Sequence, residues 1–424
     1  MELISLLKDK RILLGVTGGI AAYKVCTLAS HLTQAGAQID VVMTEAATHF
    51  VAPLTFEALT GRPAYTDMWR TSGHVLSRAE GEALPTHISH VGLAHAAGLL
   101  VIAPATANTL AKLATGLADN LLSTLALAAS CPVLAIPAMD VGMWSHPATQ
   151  ANVATLRERG VHFAGPARGR MASGLEGEGR MIEPDEILGH VRLALGRERT
   201  LAGRHVVITA GPTREPLDPV RFFSNPSSGR QGFALAQAAL DQGATVVLVT
   251  GPTHLSTPVG AERIDVASAQ EMHDAVISAV EQADVLLMAA AVADYRPDNV
   301  APQKIKKGEG GLILRLTRTP DILSSVAVRW AETGHPRVVV GFAAESQNLA
   351  ENARTKLKAK NLDLIVANDI TARDAGFAAE TNRVVLIGRD GSVESLPLMS
   401  KAAVAETIVE RVASLLAAVD GKPK

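Results

Sequence analysis

A chain of 424 residues has room for two or three domains of roughly 100–200 residues, each with its own core. Its 40 Lys and Arg against 42 Asp and Glu exclude a charge-driven grip on nucleic acid or anionic lipid, and 47% apolar against 19% charged residues excludes global disorder. Two cysteines, Cys26 and Cys131, make neither a disulfide framework nor a four-thiolate zinc site, and no apolar run approaches the ~20 residues of a membrane span. The expectation is a soluble, cytoplasmic protein with small-molecule substrates and no nucleic-acid or membrane partner. Residues 11–16 are apolar, Thr17-Gly18-Gly19 interrupts them, residues 20–35 have helical character and residues 39–43 are apolar again. That is one βαβ unit. Residues 99–103 and 133–136 are short apolar runs with proline directly after them, as buried parallel strands require.

The same grammar returns with Val206-Val207-Ile208-Thr209, a Gly/Pro loop, a helical stretch over 232–242 and a strand over 244–250, followed by apolar runs at 285–288, 338–340 and 364–366. Between the two modules the polar stretch 190–204 suits a linker or a terminal helix, which puts the boundary near Thr200. Two domains are expected, 1–199 and 200–424. In parallel sheets ligands collect at the carboxyl ends of strands, and the unusual residues stand there: Pro104 to Asn108, Pro137 to Asp140, Ala289 to Asp294, Phe342 to Glu345 and Asn368-Asp369. Neither module carries G-x-G-x-x-G with an acid about 20 residues on, so a mononucleotide is a better expectation than NAD. The first loop, Gly15-Val16-Thr17-Gly18-Gly19, also reads as room for close helix packing.

Several long segments carry a resemblance. Gly15 to Lys24 (GVTGGIAAYK), Ala103 to Asn108 (APATAN) and Pro137 to Trp144 (PAMDVGMW) look like the flavin-dependent cysteine decarboxylases. Ile208 to Val220 (ITAGPTREPLDPV), Ser224 to Gly229 (SNPSSG), Ala289 to Tyr295 (AAAVADY) and Lys304-Ile305-Lys306-Lys307 resemble phosphopantothenate-cysteine ligase. In this order they resemble the bifunctional phosphopantothenoylcysteine decarboxylase/phosphopantothenate-cysteine ligase family of coenzyme A biosynthesis, nearly end to end. The resemblance implies two tandem Rossmann-like α/β domains with mostly parallel sheets, a flavodoxin-like decarboxylase domain and then a ligase domain. It also implies FMN, Mg²⁺ and a homo-oligomer.

For the ligase half, the resemblance implies CTP activation of 4'-phosphopantothenate as an acyl-cytidylate, which the amine of cysteine attacks. A free carboxylate is a poor electrophile, so the site needs cations around the phosphates and donors at the acyl oxygen. Lys304 matches the lysine of acyl-cytidylate formation and Asn225 the asparagine that handles the intermediate, although an Asx turn also explains Asn225. Ala289, Ala290, Asp294, Pro320, Asp321, Ile322, Leu323 and Phe342 align with cytidine-binding positions, and Lys356 and Lys360 with triphosphate contacts. Asp321 reads equally as a helix cap, Phe342 as core, and Lys306 and Lys307 as a solvated face. Arg230 stands where many relatives carry lysine.

For the decarboxylase half, the resemblance implies FMN held by Gly18, Gly19, Ile20, Thr44, Ala103, Pro104, Ala105, Thr106, Asn108, Met139 and Met143, with His87 as the catalytic histidine. His90 and His95 lie close by in sequence, but the spacing lacks a carboxylate partner for a metal, and the metal ligands stay unassigned. FMN oxidises the substrate thiol to a thioaldehyde, whose C=S accepts electrons as CO₂ departs, and then returns the hydride. Two positions depart from the family. Asp140 stands where the motif P-x-M-N-x-x-M-W has asparagine, and an ionised aspartate would repel a substrate carboxylate unless burial keeps it protonated. Ser173 stands where the mobile flap carries cysteine, and an alcohol is a poorer acid than a thiol of pKa about 8.5. Glu176 or Glu178 are alternative donors. Three readings follow: an active decarboxylase with altered donors, a weak or purely oxidative one beside a working ligase, or a non-catalytic FMN-binding scaffold.

Overall fold

In a computed structural model, residues 3–68, 89–307, 312–345, 349–369 and 380–421 are described. The chain divides into two compact units, Met1–Leu195 and Gly196–Lys424. No helix among the described residues is long and apolar enough to cross a membrane.

The first unit is built on strands β1 (Arg11–Val16), β2 (Gln38–Met43), β3 (Ala64–Tyr65), β4 (Leu99–Ala105), β5 (Val133–Pro137) and β6 (His162–Phe163). They form one sheet in the order β3-β2-β1-β4-β5-β6, with parallel pairing throughout. Leaving aside the two-residue edge β3, the other five strands run second-first-third-fourth-fifth, the flavodoxin-like order. Every residue of β4 is buried, because helices cover both faces of the sheet. The helix Ala22–Gln34 buries Val25, Leu28, Ala29 and Leu32, the i, i+3, i+4, i+7 stripe of an amphipathic helix. Each such leucine contributes roughly 1.5–3 kcal/mol of burial. After the sheet, β7 (Ala167–Arg170) and β8 (Glu176–Arg180) form an antiparallel hairpin whose tip is residues 171–175. The helix Pro184–Gly196 takes up the first part of the polar stretch 190–204, and the two units divide at its end.

The second unit contains β9 (His205–Ala210), β10 (Arg214–Pro216), β11 (Phe222–Ser224), β12 (Thr245–Thr250), β13 (Ala261–Asp265), β14 (Val285–Met288), β15 (Tyr295–Pro297), β16 (Leu316–Arg318), β17 (Val338–Glu345), β18 (Leu364–Asp369), β19 (Thr381–Asn382), β20 (Val384–Gly388), β21 (Val393–Ser395) and β22 (Met399–Ser400). Its main sheet runs β13-β12-β9-β14-β17-β18-β20-β21. The first six are parallel and have the doubly wound order third-second-first-fourth-fifth-sixth, while β20 and β21 add on antiparallel. The helix Arg230–Asp241 lies close against β9, since a Cβ at Gly232 would overlap Ala210 and the Thr209 carbonyl. This glycine serves helix–strand packing.

Candidate functional site

Both sheets change direction of winding beside their first strand, and each such switch point opens a crevice at the carboxyl ends of the strands. In the first unit it lies between β1 and β4. Thr17, directly after β1, donates its hydroxyl to the Pro104 carbonyl at 2.5 Å and accepts from the Thr106 amide at 3.3 Å, which fixes the two loops against each other. Above this staple is a cavity of about 920 Å³, within the ~300–1,000 Å³ typical of small-molecule and cofactor sites. Gly18, Gly19, Ile20, Thr44, Thr106, Asn108, Met139 and Met143 line it. Ala103, Pro104 and Ala105 are not on its wall; they are buried in β4 behind it. Thr44 and Thr106 cap the helices Glu45–Thr48 and Ala107–Thr115, accepting from Ala47 and Thr109 amides, and the Thr106 hydroxyl also shares a hydrogen bond with that of Thr109 at 3.1 Å. Gly18 also has a packing reason, because a Cβ there would run into Ala46, whereas at Gly19 the nearest atom would be 3.7 Å away.

Asp140 and Ser173 both line this cavity, and they are bonded to each other: the Ser173 hydroxyl donates to Asp140 Oδ2 at 2.6 Å. Asp140 Oδ1 accepts the Gly142 amide at 3.1 Å as the N-cap of the helix Val141–Ser145. The condition under which Asp140 could mimic the amide, protonation by burial, is not met. Its carboxyl is only half-buried, and the Ser173 hydroxyl followed by the Gly142 amide holds it below the usual carboxylate range, so it is ionised at neutral pH. The hairpin stem is fastened separately, by the Met139 amide donating to the Gly179 carbonyl at 2.9 Å. Glu176 and Glu178 are exposed on β8 and do not line the cavity. Cys26 and Cys131 are likewise off its wall, and burial pushes both thiols up, which removes them as substitutes for a flap cysteine. His87 lies outside the described residues.

In the second unit the crevice lies between β9 and β14. The loop after β14 is its hub: the Ala290 amide donates to Thr209 Oγ1 at 3.0 Å, the Ala291 amide to the Gly211 carbonyl at 2.9 Å, and the Ala293 amide to Thr213 Oγ1 at 3.0 Å. The Asn225 amide group donates to the Val292 carbonyl at 3.1 Å, tying the Ser-Asn-Pro-Ser-Ser-Gly turn to this hub. From the other side the Thr319 hydroxyl donates to the Ala293 carbonyl at 2.6 Å and its amide to the Asp294 carbonyl at 3.0 Å, which brings Pro320 and Asp321 alongside. Ala289, Ala290, Asp294, Asn225 and the 320–323 segment are thereby gathered.

The basic residues are held by partners of their own. Lys356 donates to the carbonyl of half-buried Phe342 at 2.8 Å. Lys360 pairs with Asp321 and donates to Ser324 Oγ at 3.0 Å. Asp321 is the N-cap of the helix Ile322–Thr333; burial raises its carboxyl, but Lys360 and the Ser324 amide outweigh this and leave it lowered. Asn225 and Arg230 border a cleft of about 890 Å³, whereas Leu323 and Lys360 border a different hollow of about 780 Å³. Lys304 is exposed, and its neighbour Ile305 is clamped: the Ile305 amide donates to Asp218 Oδ2 at 3.1 Å and its carbonyl accepts from Arg221 at 2.9 Å.

Asp218 and Arg221 are the pair that sequence reasoning missed. Asp218 is buried and accepts from Arg221 Nη2 at 2.6 Å, and Arg221 with the Val220, Ile305 and Arg221 amides drives its carboxyl far below the ordinary range despite the opposing effect of burial. The available signal was an acid in a proline turn with arginine three residues later. Among the described residues no group of three His, Cys, Asp or Glu side chains is placed to hold a metal ion.

Comparison with known proteins covers both units. Residues 201–416 match the DNA/pantothenate metabolism flavoprotein C-terminal domain, and residues 3–195 match the flavoprotein family. The coenzyme A biosynthesis bifunctional protein of Bacillus subtilis (strain 168) is 47% identical over 413 residues, covering 97% of this chain and 98% of that one. Its counterpart in Vibrio cholerae serotype O1 (strain ATCC 39315 / El Tor Inaba N16961) is 46% identical over 408 residues, covering 96% of this chain and 98% of that one. A solved structure of the C-terminal domain of such a bifunctional protein is 41% identical, covers 52% of this chain and 98% of that chain, and has a TM-score of 0.44.

Proposed function

The chain belongs to the family of coenzyme A biosynthesis bifunctional proteins, and from that premise we propose that its first unit is the FMN-dependent phosphopantothenoylcysteine decarboxylase and its second the CTP-dependent phosphopantothenate-cysteine ligase. The observation that carries the first assignment is the switch-point cavity of about 920 Å³ with Asp140 and Ser173 on its wall. Its chemistry suits FMN: the glycine turn at Gly18-Gly19 and the hydroxyls of Thr44 and Thr106 suit a phosphate, and Ile20, Met139 and Met143 suit a flat apolar ring. FMN, when bound, supplies the reversible two-electron acceptor that decarboxylation of an N-acyl-cysteine needs. The protein's part is to hold the substrate against that ring, to exclude water beneath the hairpin and to manage protons. Of the three readings of this half, family membership along both units supports the active decarboxylase.

In the ligase unit, Lys304 is assigned to the acyl-cytidylate step and Asn225 to the acyl oxygen, where a cation and an amide donor stabilise developing negative charge. The clamp of Asp218 and Arg221 on Ile305 positions Lys304. Ala289, Ala290, Asp294, Pro320 to Leu323 and Phe342 form the cytidine edge, with Lys356 and Lys360 on the phosphates once they exchange their present partners. Mg²⁺ would neutralise the remaining triphosphate charge. The protein is assigned to the cytoplasm as a homo-oligomer, with its two thiols free.

The test is a purified preparation examined twice. A bound-flavin absorption spectrum, together with pyrophosphate release from CTP that requires both cysteine and 4'-phosphopantothenate, is the expected result. A colourless protein inert towards CTP would overturn the assignment.

A further inference from the structure

The two departures from the family pattern, Asp140 and Ser173, are 33 positions apart in sequence yet share one hydrogen bond, with the serine as donor and the carboxylate as acceptor. Ser173 belongs to the hairpin tip and Asp140 to the loop after β5, and both line the same cavity, so the pair ties the tip to that loop. An isolated hydroxyl is a weak acid, and an isolated carboxylate beside an anionic substrate is repulsive. Together they behave otherwise. Two carboxylates brought close cannot both stay ionised, and one of them takes up a proton.

The other charged groups on the wall leave room for this. Lys24 and Arg180 are both committed to Glu183, at 2.7 and 2.6 Å, and Lys112 to Asp119 at 2.7 Å. Arg170, on β7 of the same hairpin, lines the cavity and offers a cation to a substrate carboxylate, while Glu45 adds a further negative charge. Resting on the decarboxylase reading, we infer that Asp140 and Ser173 form a proton relay that the substrate itself loads: its carboxylate, bound beside Asp140, makes Asp140 take one proton from solvent, and Ser173 passes that proton on to the carbon that CO₂ has left.

The balance closes. The C–COO⁻ bond breaks, its electron pair stays with the substrate, CO₂ departs, and one proton ends on the carbon that lost it. On the protein, the Asp140 Oδ2–H bond breaks as Ser173 Oγ receives that proton and releases its own to the substrate, and Asp140 returns to the ionised state in which it accepts the Ser173 hydroxyl. Loading by the substrate carboxylate also removes the repulsion that an ionised Asp140 would otherwise impose on binding.

The decisive experiment is calorimetry of the FMN-loaded protein in buffers of different ionisation enthalpy, using phosphopantothenoylserine, which keeps the carboxylate and replaces the thiol by a hydroxyl. Proton uptake on binding is expected, approaching one per site as the pH is lowered towards about 5.5. Asp140→Asn should abolish it, phosphopantetheine, which lacks the carboxylate, should elicit none, and Glu178→Gln should leave it intact. Ser173→Ala should retain the uptake and still release CO₂, yet slow phosphopantetheine formation from phosphopantothenoylcysteine by about 10²–10⁴-fold, the usual contribution of a positioned acid. The Asp140→Asn, Ser173→Cys double variant should form phosphopantetheine faster than either single variant. Wild-type protein that releases CO₂ without uptake, or equal uptake in Asp140→Asn, overturns the relay alone. Wild-type protein that releases no CO₂ overturns the decarboxylase reading and the relay with it.

Discussion

The two units solve the same topological problem with different degrees of preparation. In the first, the loops at the switch point are stapled by Thr17 and the hairpin covers a single cavity that already contains most of the assigned cofactor residues. In the second, the loop after β14 gathers the residues proposed for cytidine by hydrogen bonds of its backbone, but Lys356 and Lys360 are occupied by Asp321, Ser324 and the Phe342 carbonyl, and Asn225 borders its own cleft. On the proposed reading, a stacking cofactor with a single phosphate is served by a preformed cavity. A triphosphate carrying several negative charges is served by cations that stay paired with the protein until stronger anions displace those partners. The difference locates where each unit is vulnerable: shape in the first, charge in the second.

The largest effect that would sharpen this contrast is expected at Lys304. Lys304→Gln should reduce the ligase rate by about 10²–10³-fold, measured as pyrophosphate release, because one preorganised charge is removed from the developing transition state. FMN content and CO₂ release should be unchanged, and a parallel loss of flavin would break the comparison. Next is a pair of adjacent glycines in the first unit. Gly18→Ala places a methyl group against Ala46 and should cost about 1–3 kcal/mol, seen as a lowered Tm and a paler preparation. Gly19→Ala meets nothing nearer than 3.7 Å and should retain wild-type Tm. Equal behaviour of the two would show that shape is not limiting there.

The smallest effect concerns Asp218. Asp218→Asn should lower ligase turnover by about tenfold through misplacement of Lys304, with a pH signature in stability. The folded carboxyl is held below its unfolded value by Arg221, so its stabilisation is full above about pH 4 and is lost as pH falls through the depressed folded value. The Tm gap between wild type and variant should therefore be present at pH 7 and close on acidification. A gap that is the same at pH 7 and pH 3 would show that ion pairing at Asp218 is not its source.

Much of the fold was legible because parallel strands buried on both faces leave continuous apolar runs: residues 99–103 and 285–288 are such runs, and both are central strands. The antiparallel additions β20 and β21 were not foreseen: β21 is a three-residue edge strand with little periodic signal, and the apolar run of β20 does not by itself show the direction in which it pairs. Of the site, Gly18, Thr106 and Met139 were readable from contiguous motifs, and the cavity brings them together. Three things were hidden. The bond between Asp140 and Ser173 depends on how a hairpin folds back, the clamp on Ile305 joins residues 87 positions apart, and the placement of Pro104 behind the wall follows from the direction in which a buried strand turns its side chains. Each is a tertiary fact with no local periodicity.

Each sheet draws all its strands from its own half of the chain, β1 to β6 from before residue 164 and its counterpart from after residue 204. Fission near residue 196 would sever none of the described strand ladders. The same modularity confines sequence drift. At positions 140 and 173 an acid in the loop after β5 is met by an alcohol at the hairpin tip, both within the same half.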